Sequence, residues 1–227
     1  MIISGIDPSM SSTGIVKFYL DENLNIVNTD YMGFCQVKKN ADDVNVFHYN
    51  KKDYRNRYDI TLWMSDKIFN FIKDSDYISM EDYAYGANGV VFDIGEFVGY
   101  IKMGIYKRGI PLRLYDPLSN KKFATKHGDS DKISMYNSFC NLKEQKPNLD
   151  HLPEPNKSSG VSPTSDIVDA YFLCDLLRTE LQLRKGIITL KDLPEHKIEI
   201  FNRVTKNRPV NILSTDFLEP MKNSIEN

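Results

Sequence analysis

The sequence predicts an α/β fold in which helices flank a mixed five-stranded β-sheet. Apolar runs and turn residues place the elements in the order β-β-β-α-β-α-β-α-α. Three early strands joined by short turns indicate an antiparallel meander, and the later alternation of helices with strands is typical of an α/β domain. A chain of 227 residues fits one domain with a sizeable core.

The first half of the chain supplies the meander. Strands are predicted at Ile2–Ile6, Ile15–Leu20 and Ile26–Phe34, with a turn-rich connection over Ser9–Gly14. Residues 37–57 are polar, and we expect a surface loop or insertion there.

Helices and strands then alternate. Apolar residues at helical spacing predict a helix over Tyr58–Ile72, and an apolar run predicts a strand over Tyr77–Glu81. Further elements follow in order: a helix Val90–Lys107, a strand Pro111–Tyr115, a helix capped by Asp116 with Pro117 at its first position, and a helix from Asp129 or Ser130 to Leu142.

The last third is less regular. A long loop is predicted over residues 144–163, followed by a helix that starts at Ser162-Pro163 or Ser165 and runs to about Arg184. We therefore place the main domain at residues 1–184 and treat residues 185–227 as an extension, either an accessory region or a flexible tail.

Composition sets broad limits on the function. No apolar run approaches a membrane span, and no secretion signal is seen. Cys35, Cys140 and Cys174 are odd in number and lack metal-binding spacing, which predicts free thiols in a reducing, cytoplasmic compartment.

Charge is unevenly distributed. The formal net charge is −2, yet residues 102–132 hold eight basic residues and three acidic ones. This segment is either a nucleic-acid contact surface or an ordinary solvated helix face. Its lysines Lys121, Lys122, Lys126 and Lys132 are the candidates for DNA contact.

Four carboxylates stand where a metal site needs them. Asp7 and Glu81 end apolar strands, while Asp166 and Asp169 lie three apart at the start of a helix and so share one face. Phosphodiester hydrolysis with two divalent ions requires carboxylates that converge from several elements, and Mg²⁺ prefers such oxygens. Each acid alone also fits a turn, a solvated strand end or a helix-start residue.

These residues resemble the RuvC family of Holliday junction resolvases, which belong to the RNase H-like (integrase) superfamily. The segment Ile3–Ser9 with Thr13-Gly14 resembles the family's first motif, with Ser9 in place of the usual glycine. Tyr77–Glu81 resembles the second acidic motif, and Ser165–Ala170 resembles the terminal D-x-x-D-A motif. Further positions follow the family spacing: Gly95, Gly99, Pro111, Tyr115, Lys121, Gly128 and Lys132.

The resemblance implies an RNase H-like nuclease. Asp7, Glu81, Asp166 and Asp169 would bind two Mg²⁺ ions per site, with Mn²⁺ as a substitute. Lys121 and Lys132 would contact the DNA backbone or assist catalysis. The substrate would be branched DNA: four-way junctions, with forks and flaps as open alternatives.

Two features depart from the family. The family's aromatic residue after the second acid, used to open the junction, aligns with Ala84, so Tyr83 or Tyr85 would replace it by stacking on a base. Both tyrosines equally fit core or strand-edge positions. The insertion, the long loop and the extension are extra relative to compact bacterial members of the family. They make this chain look more like a phage or viral relative, whose compartment would be the host cell.

Paired cuts imply a symmetric homodimer. The glycines of the helix over 90–107 (Gly95, Gly99 and Gly104) mark either a dimer face or packing within the monomer. Two other functions stay open: an actin-like or sugar-kinase-type ATP-binding protein, since Asp7–Gly14 also suits a phosphate loop, and a non-catalytic junction-binding protein.

Overall fold

The computed structural model describes residues 1–36, 44–82, 91–155, 163–203 and 213, without the side chains of residues 91–93. Six strands and six α-helices lie in these ranges: β1 (Ile2–Asp7), β2 (Ser12–Leu20), β3 (Ile26–Gln36), β4 (Val46–Tyr49), α1 (Arg57–Ile72), β5 (Tyr77–Glu81), α2 (Val91–Lys107), β6 (Leu112–Tyr115), α3 (Pro117–Thr125), α4 (Lys132–Cys140), α5 (Pro163–Arg184) and α6 (Glu195–Arg203).

The sheet is mixed and has the order β4-β3-β2-β1-β5-β6. Strands β1, β2 and β3 pair in antiparallel fashion, as the predicted meander requires. Strand β5 joins β1 in parallel, β6 joins β5 in parallel, and β4 joins β3 in parallel. The α/β fold class is confirmed.

The predicted number of five strands is wrong, because β4 adds a sixth. It lies inside the segment 37–57 that was expected to be only a loop or insertion. Four residues are too few for a period of two to stand out among the charged residues around them. Strand β4 is stabilised instead by pairing with the edge of β3 and by burial of Val46 and Tyr49.

Helix boundaries follow local capping chemistry. Asp116 caps α3 by accepting a hydrogen bond from the Ser119 amide, with Pro117 at the first position as predicted. The predicted cap of α4 at Asp129 or Ser130 is wrong, because Asp131 caps this helix. Its predicted end at Leu142 is also wrong, because the helix ends at Cys140. Helix α5 begins at Pro163 and ends at Arg184, as predicted.

Helices cover both faces of the sheet. Successive residues of a strand point to opposite faces, so each face carries apolar side chains that a helix covers. One core joins Ile6, Ile15 and Met80 to α1 and α2. The other joins Ile3 and Val16 to α5, which is buried along nearly its whole length. Outside α5 lie α3, α4 and α6.

The described part of the C-terminal segment packs on the second core. Ile200 and Phe201 of α6 are both fully buried there. The boundary at residue 184 between a core and an extension stays a prediction.

None of the helices in the described ranges is both long and apolar enough to cross a membrane. Two cations of the basic segment 102–132 are buried, and each is paired with an acid: Lys102 with Asp82, and Arg113 with Glu180. Those two cations therefore do not contribute to an exposed basic surface.

Candidate metal centre

Strands β1 and β5 place Asp7 and Glu81 side by side. The two strands are parallel neighbours with Ile6 opposite Met80, so the next residue of each ends its strand at the same edge. Ile6 and Met80 face α1 and α2, and the alternation of side chains turns Asp7 and Glu81 towards α5. Neighbouring strands lie about 4.8 Å apart. Two carboxylates therefore stand next to each other at one end of the sheet.

Helix α5 brings two more carboxylates to this end. Asp166 and Asp169 lie in its first two turns, on one face. Carboxylate oxygens of Asp7, Asp166 and Asp169 lie within 4.8 Å of one another, close enough to share a cation. We name Asp7, Glu81, Asp166 and Asp169 the acidic cluster.

Two glycines allow α5 to lie this close to the sheet. A Cβ atom at Gly14 would come 2.1 Å from the carbonyl oxygen of Asp166, and one at Gly5 would come 2.2 Å from the carbonyl oxygen of Ala170. Real Cβ atoms do not approach backbone atoms to these distances. The missing side chains at positions 5 and 14 thus set how closely Asp166 approaches Asp7.

Every member of the acidic cluster has a raised pKa. Burial raises the pKa of Asp7 well above its ordinary value, and the charges of Glu81, Asp166 and Asp169 add to this. Burial and the nearby Asp169 raise the pKa of Glu81 to about 8. Burial and the nearby Asp166 raise the pKa of Asp169 to about 7. Without a counterion, the cluster therefore holds protons near neutral pH.

Asp166 is the member with the most local compensation. Burial raises its pKa, and the Lys132 ammonium and the Ser165 hydroxyl oppose that shift by favouring the carboxylate. Lys132 Nζ lies 3.6 Å from Asp166 Oδ1 and donates to Ser165 Oγ at 3.1 Å. Its side chain is 44% exposed, so the ammonium reaches both the cluster and solvent.

The predicted DNA-contact lysines occupy different environments. Lys121 of α3 lowers the pKa of Glu81 and of Asp169 by its charge, so it lies near the acidic cluster. Lys122 donates instead to Glu199 of α6. Lys126 is exposed at the end of α3, with a left-handed backbone. The structure therefore places Lys121 and Lys132 beside the acids and engages Lys122 elsewhere.

The predicted stacking residues Tyr83 and Tyr85 lie outside the described residues. Their role stays a prediction. Of the three glycines on α2, Gly104 packs inside the monomer, since a Cβ there would come 2.0 Å from the Phe69 ring of α1. Gly95 has open space instead.

Three residues near the cluster were missed by the sequence argument. Asn120 is 1% exposed and donates from Nδ2 to the Asp169 carbonyl oxygen at 3.1 Å. Ser165 donates to Asp166 Oδ1 at 3.2 Å, and Ser12 lies beside the same carboxylate. A polar residue on a predicted helix gives no sign of its partner, so no pattern in the sequence singled out Asn120.

The residues present fit a hard divalent cation. The donors are all carboxylate oxygens, which Mg²⁺ and Mn²⁺ prefer. Asp166 Oδ2 is buried and has no hydrogen-bond partner in the described part of the chain. Burial raises the pKa values of these acids most and their mutual repulsion adds to it, and a bound cation would offset both effects. An empty acceptor among converging acids is the arrangement expected of a metal ligand.

Comparisons with known proteins define the fold. No family model matches the sequence, and no curated protein matches it. The structure is similar to that of Thermus thermophilus RuvC, with a TM-score of 0.50 and 15% identity, covering 82% of this chain and 98% of that one.

Two complexes are also found. T. thermophilus RuvC with a Holliday junction substrate gives a TM-score of 0.49 and 16% identity, over 82% of this chain and 97% of that one. Fowlpox virus resolvase with substrate Holliday junction DNA gives a TM-score of 0.48 and 12% identity, over 80% of this chain and 99% of that one. The mixed sheet, the helices on both its faces and the likeness to the T. thermophilus RuvC structure with a TM-score of 0.50 together show that this chain has a RuvC-like, RNase H-type fold.

Proposed function

We propose that this chain is a Mg²⁺-dependent endonuclease that resolves Holliday junctions and other branched DNA by paired phosphodiester hydrolysis. The convergence of Asp7, Asp166 and Asp169 within 4.8 Å is the observation that carries the proposal. Glu81 follows in register on the neighbouring strand. The sequence motifs that contain these acids direct the proposal to branched DNA.

Each acid has a defined part in the proposal. Asp7, Glu81, Asp166 and Asp169 would hold two Mg²⁺ ions, and Mn²⁺ would substitute. Bound ions of this kind lower the pKa of water and neutralise charge on the reacting phosphate. The acids must first release the protons that their raised pKa values retain, so cation binding and deprotonation are linked.

The lysines beside the acids are suited to bind the DNA backbone. Lys132 keeps its ammonium at 3.6 Å from Asp166 while 44% of its side chain stays in solvent. A phosphate brought to the acidic cluster would meet this ammonium, and charge-assisted hydrogen bonds to phosphate are among the stronger ones. Lys121 would act in the same way from α3, with Lys126 further along the same surface.

A symmetric homodimer would supply the second cut. Helix α2 carries exposed apolar side chains at Tyr100, Met103 and Tyr106. Gly104 serves the packing of α1 on α2, so the proposed dimer face depends on these exposed side chains instead. Tyr83 and Tyr85 remain the candidates for stacking on an unpaired base.

Cleavage of a synthetic four-way junction tests the proposal. We expect the wild type to cut it with Mg²⁺ or Mn²⁺, Asp7→Asn to bind without cutting, and Asp129→Asn, which alters an exposed acid outside the cluster, to cut normally. Fork and flap substrates in the same assay establish the selectivity.

Two outcomes would overturn the enzyme assignment. Binding of the junction by the wild type without cleavage in either metal would leave a junction-binding protein. ATP turnover in the absence of DNA, with no cleavage, would favour the phosphate-loop interpretation of Asp7–Gly14.

A further inference from the structure

A second polar feature lies beside the acidic cluster, on the side of the sheet that faces α1 and α2. A cleft of about 320 Å³ opens between the β1–β2 turn and the start of α1. We name it the basic cleft and define it by Ser9, Ser11, Lys51, Tyr54, Arg55 and Ile60. None of these residues belongs to the acidic cluster.

The turn that forms one wall is held in place by its own hydrogen bonds. Thr13 Oγ1 donates to the Ser9 carbonyl oxygen at 2.5 Å and accepts from the Ser9 amide at 3.0 Å. The Ser9 and Ser11 hydroxyls lie 3.1 Å apart. The Tyr49 hydroxyl donates to the carbonyl oxygen of Met10, between the two serines. The wall is therefore formed before any ligand arrives, which lowers the ordering cost of binding.

The opposite wall carries positive charge available to a ligand. Lys51 is exposed at the cleft. Arg55 donates to both carboxylate oxygens of Asp59, at 3.0 and 3.3 Å, but its side chain is 87% exposed, so water competes for these bonds and screens the ion pair. Its guanidinium can therefore turn from Asp59 to a phosphate at small cost. The amides at the start of α1 are already used, because Asn56 Oδ1 accepts from those of Tyr58 and Asp59.

The floor of the cleft is aromatic and apolar. The Tyr54 ring lies 5.8 Å from the Trp63 ring and 6.3 Å from the Tyr49 ring, and these contacts fix its orientation. Ile60, which also lines the cleft, is buried. Cations along a groove with an aromatic ring inside it are the usual means of binding single-stranded nucleic acid, where phosphates meet cations and bases stack.

The cleft lies close to the acidic cluster. Ser9 is two residues beyond Asp7, a separation of at most about 7 Å. In duplex DNA each strand carries one phosphate per about 3.4 Å of helix axis, and a strand that leaves the duplex is more extended. A strand whose phosphate reaches the acidic cluster would thus place a nucleotide one or two steps away beside the β1–β2 turn.

We propose that the basic cleft binds one nucleotide of a single DNA strand flanking the acidic cluster, with its phosphate on Lys51 and Arg55 and its base against Tyr54. The choice of DNA as the ligand rests on the proposed function. The residues involved come largely from segment 51–60, which precedes and opens α1, and from the turn after Asp7.

Trp63 provides a direct measurement, because it is the single tryptophan of the chain and its ring lies beside Tyr54. The probe is a single-stranded deoxythymidine 10-mer, titrated in EDTA so that cleavage cannot occur. We expect a saturable change in Trp63 fluorescence for the wild type. For the double variant Lys51→Gln/Arg55→Gln we expect an apparent Kd about tenfold higher, with the log Kd against log salt slope reduced by about 1.4 for two lost phosphate contacts.

The matched control is Lys52→Gln/Lys73→Gln, which removes two exposed lysines that do not line the cleft. It should keep the wild-type Kd and salt slope. Equal loss in both double variants, or no fluorescence change in the wild type, would overturn the assignment of the cleft. Junction cleavage by the wild type is scored separately, so a protein that cuts junctions but fails this titration refutes the cleft alone.

Discussion

Gly14 of β2 lies directly against the backbone of Asp166 in α5. A Cβ atom at position 14 would come 2.1 Å from both the carbonyl carbon and the carbonyl oxygen of Asp166. Neither is a flexible side-chain end that can rotate away. The contact joins the strand after Asp7 to the helix that carries two further acids, so the geometry of the acidic cluster depends on it.

Gly14→Ala should therefore displace α5 from the sheet. We expect a loss of about 3 kcal/mol in the free energy of unfolding, at the upper end for overpacking a core, together with weaker binding of Mn²⁺. Urea denaturation and metal titration measure the two effects. Gly95→Ala is the control, because a Cβ there meets nothing within 4 Å. That change should stabilise the protein by about 0.5–1 kcal/mol. Equal effects of the two changes would refute the contact's importance.

The raised pKa values predict how stability depends on pH without metal. Glu81 and Asp169 titrate near 8 and 7 in the folded chain, above the ordinary values of 4.5 and 3.8. Between the ordinary and the raised pKa of each acid, the folded state therefore binds more protons than the unfolded state. The stability of the folded state falls as the pH rises through that interval. In EDTA, we expect a lower Tm at pH 8.5 than at pH 5.5.

Two variations test the origin of this effect. Asp169→Asn should reduce the fall in Tm, because one of the mutually repelling acids no longer ionises. Added Mg²⁺ should raise the Tm of the wild type most at high pH, since a ligand that binds only the folded state stabilises it. A Tm in EDTA that rises between pH 5.5 and pH 8.5 would contradict the assignment.

The buried pair Arg113–Glu180 should carry a large share of the stability. Arg113 Nε donates to Glu180 Oε2 at 2.9 Å with both side chains fully buried, and Tyr115 and Arg184 donate to the same carboxylate. Glu180→Gln leaves the Arg113 charge buried without a carboxylate, which costs about 3–5 kcal/mol. Urea denaturation measures the loss. The exposed Arg55→Gln is the control and should stay within about 0.5 kcal/mol of the wild type.

Lys132 should affect metal and DNA in opposite directions. Its charge lowers the pKa of Asp7 and of Asp169, and it competes with a cation for the same acids. Lys132→Gln should therefore bind Mn²⁺ at least as tightly as the wild type, while its affinity for a four-way junction falls several-fold and its salt dependence decreases. Calorimetry and fluorescence anisotropy measure the two affinities. Parallel loss of both would indicate a misfolded site rather than a phosphate contact.

The sequence located the four acids through local patterns. Asp7 and Glu81 each follow a short apolar run, and Asp166 and Asp169 lie at helical spacing within an apolar stretch. Such patterns depend only on the alternation of side chains along a strand or helix. Strand β5 was accordingly predicted at Tyr77–Glu81, the bounds that the structure has, and helix α5 was predicted to start at Ser162-Pro163 or Ser165 and to end at about Arg184, which includes the observed bounds Pro163–Arg184.

Contacts between distant segments were not predictable in this way. Arg113 and Lys102 were counted as surface charge, because a charged residue reveals nothing of a partner 67 or 20 residues away. Strand β4 was missed because its four residues are stabilised by pairing with β3. Asn120 became part of the site only when α3 was seen to pack on α5.

The sequence alone thus determined the α/β class, most helix and strand positions, and the four acids, since these follow from short-range periodicity and capping. The tertiary structure decided which charges face solvent, how closely α5 approaches β2 at Gly14, and that a basic cleft adjoins the turn after Asp7. Those properties depend on how residues far apart in the chain pack together, because the effect of a buried charge or a missing Cβ atom depends on the atoms around it.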